Sequence, residues 1–182
     1  MHAKRAFPPC HFIPPCHSIA QRGFTLIELL MAISVAIVML GWAIPSYQDL
    51  RVRQEVLAET HRLRVALSLG RNTAITRRSD VIVCPSPDRQ HCDTDDWSAP
   101  LAIVLGPLAG NGFTEEALLR VIERGQGTRT SFRQDGKPVR YNPLGRPTLH
   151  NGTFHICGRH TRGAELVLSN FGRLRRGDNV NC

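Results

Sequence analysis

Residues 24–44 read FTLIELLMAISVAIVMLGWAI, an apolar run from Phe24 to Ile44 with a single charge, Glu28. At ~1.5 Å of rise per residue, a helix of this length spans roughly 30 Å, the thickness of a bilayer's hydrocarbon. A secretory signal has a shorter apolar region, about 7–15 residues, and a small-residue cleavage site follows it; none follows here. Lys4, Arg5 and Arg22 precede the run, with no acid among them. The positive-inside rule then puts the N-terminus in the cytoplasm and the remainder outside. A plain signal anchor would look the same to this point.

Glu28 breaks that equivalence. A carboxylate within lipid costs about 2.5–3.5 kcal/mol even on the lenient insertion scale, so it marks function by default. The cost falls if the carboxylate meets a cation. An α-amino group created by cutting before Phe24 on a neighbouring copy is such a cation. Arg22-Gly23 followed by Phe24-Thr25-Leu26-Ile27-Glu28-Leu29-Leu30 resembles the class III signal of type IV pilins and pseudopilins. The resemblance implies cleavage after Gly23 by a prepilin peptidase, N-methylation of Phe24 by the same enzyme, and Glu28 guiding subunit assembly in the inner membrane. Pro45 stands where pilins often carry a helix-disturbing proline. The preceding leader, residues 1–23, is long, with Pro8-Pro9-Cys10-His11 and Pro14-Pro15-Cys16-His17. Cys and His are zinc ligands, but removal of the segment, or a true start further downstream, accounts for it more simply.

After the apolar run the pattern stays helical, over residues 45–78. Val56, Leu63, Leu67, Gly70 and Ala74 form one stripe at helical spacing. Arg51, Arg53, Glu55, Glu59, Arg62 and Arg64 mostly take the other positions. Pro45 is expected to loosen or bend the helix, since it removes a donor. From residue 79 to 182 the composition turns to short β-prone runs: Val81–Cys84, Leu101–Leu105, Leu118–Ile122, Val139–Tyr141, Thr153–Cys157 and Glu165–Leu168. Gly, Pro and Asn clusters separate them. The expected fold class is therefore α+β, a long N-terminal helix packed on an antiparallel sheet.

Of the 182 residues 42% are apolar, enough for a folded core. The net charge of +8 is uneven: residues 120–182 hold twelve basic groups against four acids, whereas residues 81–119 hold one against six. Such a basic C-terminal third points to a polyanionic partner. Arginine-favouring codon usage would also produce it, because all basic residues except Lys4 and Lys137 are Arg.

Six cysteines occur, and loss of a leader would leave Cys84, Cys92, Cys157 and Cys182. An even number beyond a membrane segment reads as disulfides in an oxidising compartment, with three possible connectivities. Cys84–Cys92, closing a short acidic loop, and Cys157–Cys182, returning the C-terminus to the sheet, are the favoured pair. Zinc, with His91 or His155, is the rival, but neither spacing is a C-x-x-C knuckle. Asp93, Asp95 and Asp96 lack the rest of a calcium loop. With no G-x-S-x-G, P-loop or H-E-x-x-H, the chain reads as non-enzymatic, with neither metal nor cofactor.

Val83-Cys84-Pro85-Ser86, Cys92, Trp97, Asn142-Pro-Leu-Gly-Arg-Pro147, Thr153–Cys157 and Ser169-Asn-Phe-Gly-Arg-Leu-Arg175 together resemble the GspH/FimT family. That family comprises minor pseudopilins of type II secretion and minor pilins of type IV pili. The family's aromatic-plus-acid segment is replaced here by Leu101-Ala-Ile-Val-Leu105. Near the end stands Gly172-Arg173-Leu174-Arg175-Arg176-Gly177. In an extended segment Arg173 and Arg175 share a face and Leu174 takes the other. The flanking glycines permit a protruding loop, and guanidinium forks match phosphate geometry. The segment resembles the GRxR motif of FimT proteins that bind DNA in natural transformation. That implies DNA contact through Gly172, Arg173 and Arg175, with Arg176 as an extra contact and Arg146, Arg159 and Arg162 as possible extensions. The plainer alternative is a Gly-Arg pair that only shapes a turn, as in secretion pseudopilins. The implied partners are the processing peptidase, other pilins or pseudopilins, the inner membrane and DNA.

Overall fold

A computed structural model of the chain describes residues 23–133, 135–159 and 162–182, with only the backbone of Arg162. The leader, with Lys4, Arg5, Arg22 and both PPCH stretches, lies outside the described residues. The fold is α+β. Helix α1 runs over Leu26–Arg77, and its helical assignment is continuous through Pro45. Among the described residues eight strands follow: β1 (Val81–Pro85), β2 (Leu101–Leu105), β3 (Leu118–Ile122), β4 (Arg129–Ser131), β5 (Val139–Tyr141), β6 (Gly152–Cys157), β7 (Arg162–Leu168) and β8 (Leu174–Asn181). They form two antiparallel four-stranded sheets, in the orders β3-β2-β1-β5 and β4-β6-β7-β8.

The chain divides into two compact units, the first ending at Trp42 and the second beginning at Ala43. Within the first, apolar side chains from Phe24 to Trp42 are exposed, and the helix is long and apolar enough to cross a membrane.

Within the second unit, the stripe Val56, Leu63, Leu67, Gly70 and Ala74 is buried, as its spacing dictates. It joins Val81, Val83, Leu101, Ile103, Tyr141, Ile156, Leu166 and Leu168 in one core. Trp97 packs edge-on against Phe132 and Phe154, at 5.3 and 5.0 Å between centroids, and these two stack at 4.0 Å. At Gly70 helix and sheet are in close contact: a Cβ there would collide with Val83. One charged position read as outward-facing turns inward instead. Glu59 lies one helical step from Val56 and Leu63, so it shares their face and is 2% exposed.

β1 and β2 are buried on both faces. Ile82, Cys84, Ala102 and Val104 point away from α1 into a second cluster with Cys92, covered by Leu108, Phe113 and Leu118. Double coverage explains why Leu101–Leu105 is apolar throughout rather than alternating.

Candidate functional site

β7 and β8 are joined by Ser169-Asn-Phe-Gly-Arg173. The Gly172 N–H donates to the Ser169 carbonyl at 2.9 Å and the Ser169 N–H to the Arg173 carbonyl at 3.0 Å. This closes a three-residue hairpin loop whose last residue, Gly172, has φ +74°, the left-handed value that favours glycine. Asn142-Pro-Leu-Gly-Arg146 repeats the arrangement. Gly145 N–H donates to the Asn142 carbonyl at 2.8 Å, Asn142 N–H to the Arg146 carbonyl at 3.0 Å, and Gly145 has φ +70°. A polar side chain braces each turn. Ser169 Oγ accepts from the Arg173 N–H at 3.1 Å, and Asn142 Oδ1 accepts from the Leu144 and Arg146 N–H groups at 3.0 Å each.

The twin turns meet over α1. Arg71 donates through Nη1 to the Gly172 carbonyl at 3.1 Å. A Cβ on Gly172 would strike the Gly145 carbonyl oxygen, and one on Gly145 would press on Ile75 and Arg71. Both glycines are thus demanded twice, by backbone conformation and by space. Each turn carries an exposed apolar tip, Leu144 (70% exposed) and Phe171 (67%), then glycine, then arginine. The Arg146 guanidinium lies over the Phe171 ring, 5.6 Å from its centroid, and so links one turn to the other.

Arg173 closes the second turn and Arg175 lies in β8, paired with Val167. Directly opposed residues of an antiparallel pair share a face. Leu174, opposite Leu168, therefore faces the core, and Arg175 faces away from it. Among the described residues neither Arg173, Arg175 nor Arg146 makes an ion pair, whereas Arg62, Arg89, Arg133 and Arg140 are each matched to a carboxylate.

Three expected members of the patch lie elsewhere. Arg176 stands opposite Leu166 and so takes the other face of β8. There it donates to Asn179 Oδ1 at 3.2 Å and lines a groove with Arg53, Val56 and Leu57. Arg159 approaches Glu55 at 4.0 Å. Arg162 pairs with Asn181 at the far end of β7 from Leu168, about 20 Å along the strand. Gly177 is not in a protruding loop; it sits in β8 beside Glu165, where the register shifts. Phe171, Leu144 and Arg71 went unread in the sequence as site residues. The shared turn pattern, a polar residue, an apolar tip, glycine and arginine, was the available signal.

Cys84–Cys92 and Cys157–Cys182 are disulfide-bonded, with Cα separations of 5.5 and 5.8 Å. Inside the first loop, Asp88 accepts from the Gln90 and His91 N–H groups at 3.0 and 2.9 Å and from the His91 ring at 2.8 Å. Those backbone bonds, then the ring, hold its carboxyl well below the usual carboxylate range. Among the described residues no three His, Cys, Asp or Glu side chains gather as a metal site. Gly23 and Phe24 precede α1 and are exposed; Glu28, in its first turn, takes its N–H to Thr25 Oγ1 at 3.3 Å.

The family model of the type II transport protein GspH matches residues 59–172, and that of the prokaryotic N-terminal methylation motif matches residues 19–44. The first match ends at Gly172, so Arg173 and Arg175 lie just past it. Two fimbrial proteins of Pseudomonas aeruginosa are similar over 164 residues, at 27% and 26% identity, covering 90% of this chain and 85% of theirs. The crystal structure of the type IV minor pilin FimU from Pseudomonas aeruginosa has the same fold. Its TM-score is 0.56 at 22% identity, over 69% of this chain and 90% of that one. These relatives are structural pilins rather than enzymes. The methylation motif implies processing by a prepilin peptidase and partners of the pilin kind.

Proposed function

This chain belongs to the GspH family, and from that premise we propose that it is a minor type IV pilin that binds DNA without regard to sequence. It is cut after Gly23, methylated on Phe24 and held in the inner membrane by residues 24–44, with residues 79–182 outside. Glu28 pairs with the new amino terminus of a neighbouring subunit during filament assembly. The observation that carries the DNA reading is the absence of any carboxylate partner, among the described residues, at Arg173 and Arg175. They share the outer face beside the twin turns, in a C-terminal third that is strongly basic. Arg62, which ties α1 to the sheet, is matched to Glu59; Arg173 and Arg175, on an exposed face, are open to an outside anion.

Contacts to the phosphate backbone release counterions, which steepens the salt dependence by about 0.9 of log–log slope per neutralised phosphate in duplex DNA. For the full chain in detergent, the double variant Arg173→Gln, Arg175→Gln is expected to bind duplex DNA more weakly, with the slope reduced by roughly 2. An unchanged affinity and slope removes these residues from the site. The family's own description favours a second reading, a minor pseudopilin of type II secretion. A deletion strain separates them: loss of transformation with secretion intact supports the first, and the reverse supports the second.

A further inference from the structure

We propose that the twin turns form a stacking platform for unpaired bases, so that the site takes single-stranded nucleic acid in preference to duplex. The inference rests on the DNA reading above and specifies which form of the polymer is held. Phe171 is the reason. Its ring sits at the tip of a three-residue loop, two thirds exposed, and adds nothing to the core. Yet the loop holding it is fixed on three sides. Gly172 closes it in a conformation other residues rarely adopt, Ser169 braces it from below, and Arg71 ties its carbonyl to α1. A large apolar ring held rigidly in water is poised for a flat partner, because little side-chain or loop freedom remains to be lost on binding.

The surroundings select the partner's chemistry. The Arg146 guanidinium lies over the ring and retains its donors, with no carboxylate claiming it among the described residues. Leu144 offers a second exposed apolar tip from the equivalent position of the adjoining turn. Arg173 and Arg175 follow Phe171 at alternate positions on the solvent side. Aromatic surface with a planar cation above it, flanked by further guanidinium groups, matches a base and the phosphates on either side. A lipid surface or an apolar protein partner would use the ring too, but neither needs the alternation of plane and charge. In a duplex the faces of the bases are already stacked on one another, so a ring on so short a turn reaches them only where the strand is unpaired.

The test uses the full chain in detergent micelles, with fluorescence anisotropy against three labelled probes of equal length: an oligothymidylate, an abasic phosphodiester and a duplex. Base stacking by an aromatic residue contributes about 5- to 150-fold per base. The oligothymidylate is expected to bind tighter than the abasic strand by a factor in that range. With the variant's folding checked by far-ultraviolet circular dichroism, Phe171→Ala is expected to erase the difference by weakening oligothymidylate binding to the level of the abasic strand. Phe171→Trp is expected to preserve it. Equal binding of oligothymidylate and abasic strand, or an advantage for the base-bearing strand that survives Phe171→Ala, overturns the platform and leaves the phosphate-contact reading standing. An affinity confined to lipid vesicles or to another pilin, with none for any nucleic-acid probe, overturns both.

Discussion

Glu59 and Arg62 show what a single buried charge does for this fold. The carboxylate accepts two bonds from one guanidinium, from Nε at 2.8 Å and Nη2 at 2.6 Å, and a third from Thr130 Oγ1 at 3.2 Å. Arg62 spends its remaining donors on the carbonyls of Trp97, Ala99 and Glu123, at 2.6, 3.1 and 3.3 Å. This pair of α1 side chains thereby fixes three separate chain segments, at Trp97–Ala99, Glu123 and Thr130, and a Cβ at Gly125 would collide with Glu59. A buried pair gains little over well-packed apolar residues, but removal of one partner strands the other. Arg62→Ala is therefore expected to destabilise by about 3–5 kcal/mol. Restoring the balance with Glu59→Gln in the same chain should recover part of the loss. Urea unfolding followed through Trp97, the only tryptophan after Ala43, reads both. A cost under about 1 kcal/mol for Arg62→Ala would mean that water, not protein, solvates Glu59.

At the scale of elements, what was legible follows from where apolar side chains repeat. The stripe from Val56 to Ala74 declared the inner face of α1, and Leu101–Leu105, Leu118–Ile122 and Val139–Tyr141 are strands over those very residues. β4 and β8 went unread for physical reasons. β4 is three residues, Arg-Thr-Ser, whose one buried member, Thr130, is polar and bonded to Glu59. β8 is an edge strand that leaves most of its side chains in water, so Leu174–Asn181 carries charge where a central strand carries apolar groups. The arginine pair was readable as a pattern, but its neighbours were not. Phe171 meets Arg146 where Arg71, about a hundred residues earlier, holds Gly172 on the helix. With one side unpaired, β8 depends on its ends, and Cys157–Cys182 fastens the C-terminal one to β6 across 25 residues of sequence. Cys182→Ser is expected to cost about 2–4 kcal/mol, with faster amide hydrogen exchange in β8 than in β1. Uniform exchange across both sheets would show that the staple constrains only the unfolded chain.

The whole molecule sets two surfaces of opposite kind in one sequence: an apolar helix up to Trp42 and a basic, disulfide-bonded unit from Ala43 onward. Glu28 is the one charge between Phe24 and Ile44, and among the described residues no cation meets its carboxylate. In lipid that isolation costs about 2.5–3.5 kcal/mol, a cost that the proposed pairing with a neighbouring subunit would lower. Cleavage before Phe24 makes a cation at the right depth, four residues from Glu28, or about 6 Å along the helix. On the proposed reading, a neighbouring subunit staggered by one such step would bring that cation to Glu28 and couple processing to assembly. Mass spectrometry of the membrane form is expected to show a chain beginning at methylated Phe24. Glu28→Gln is expected to be cut and methylated normally, yet to stay in the membrane fraction and be missing from sheared filaments. The amide is cheaper to bury than a carboxylate, so its absence from filaments can only reflect the lost ion pair. Recovery of the Gln variant in filaments at the native level would show that the carboxylate guides nothing.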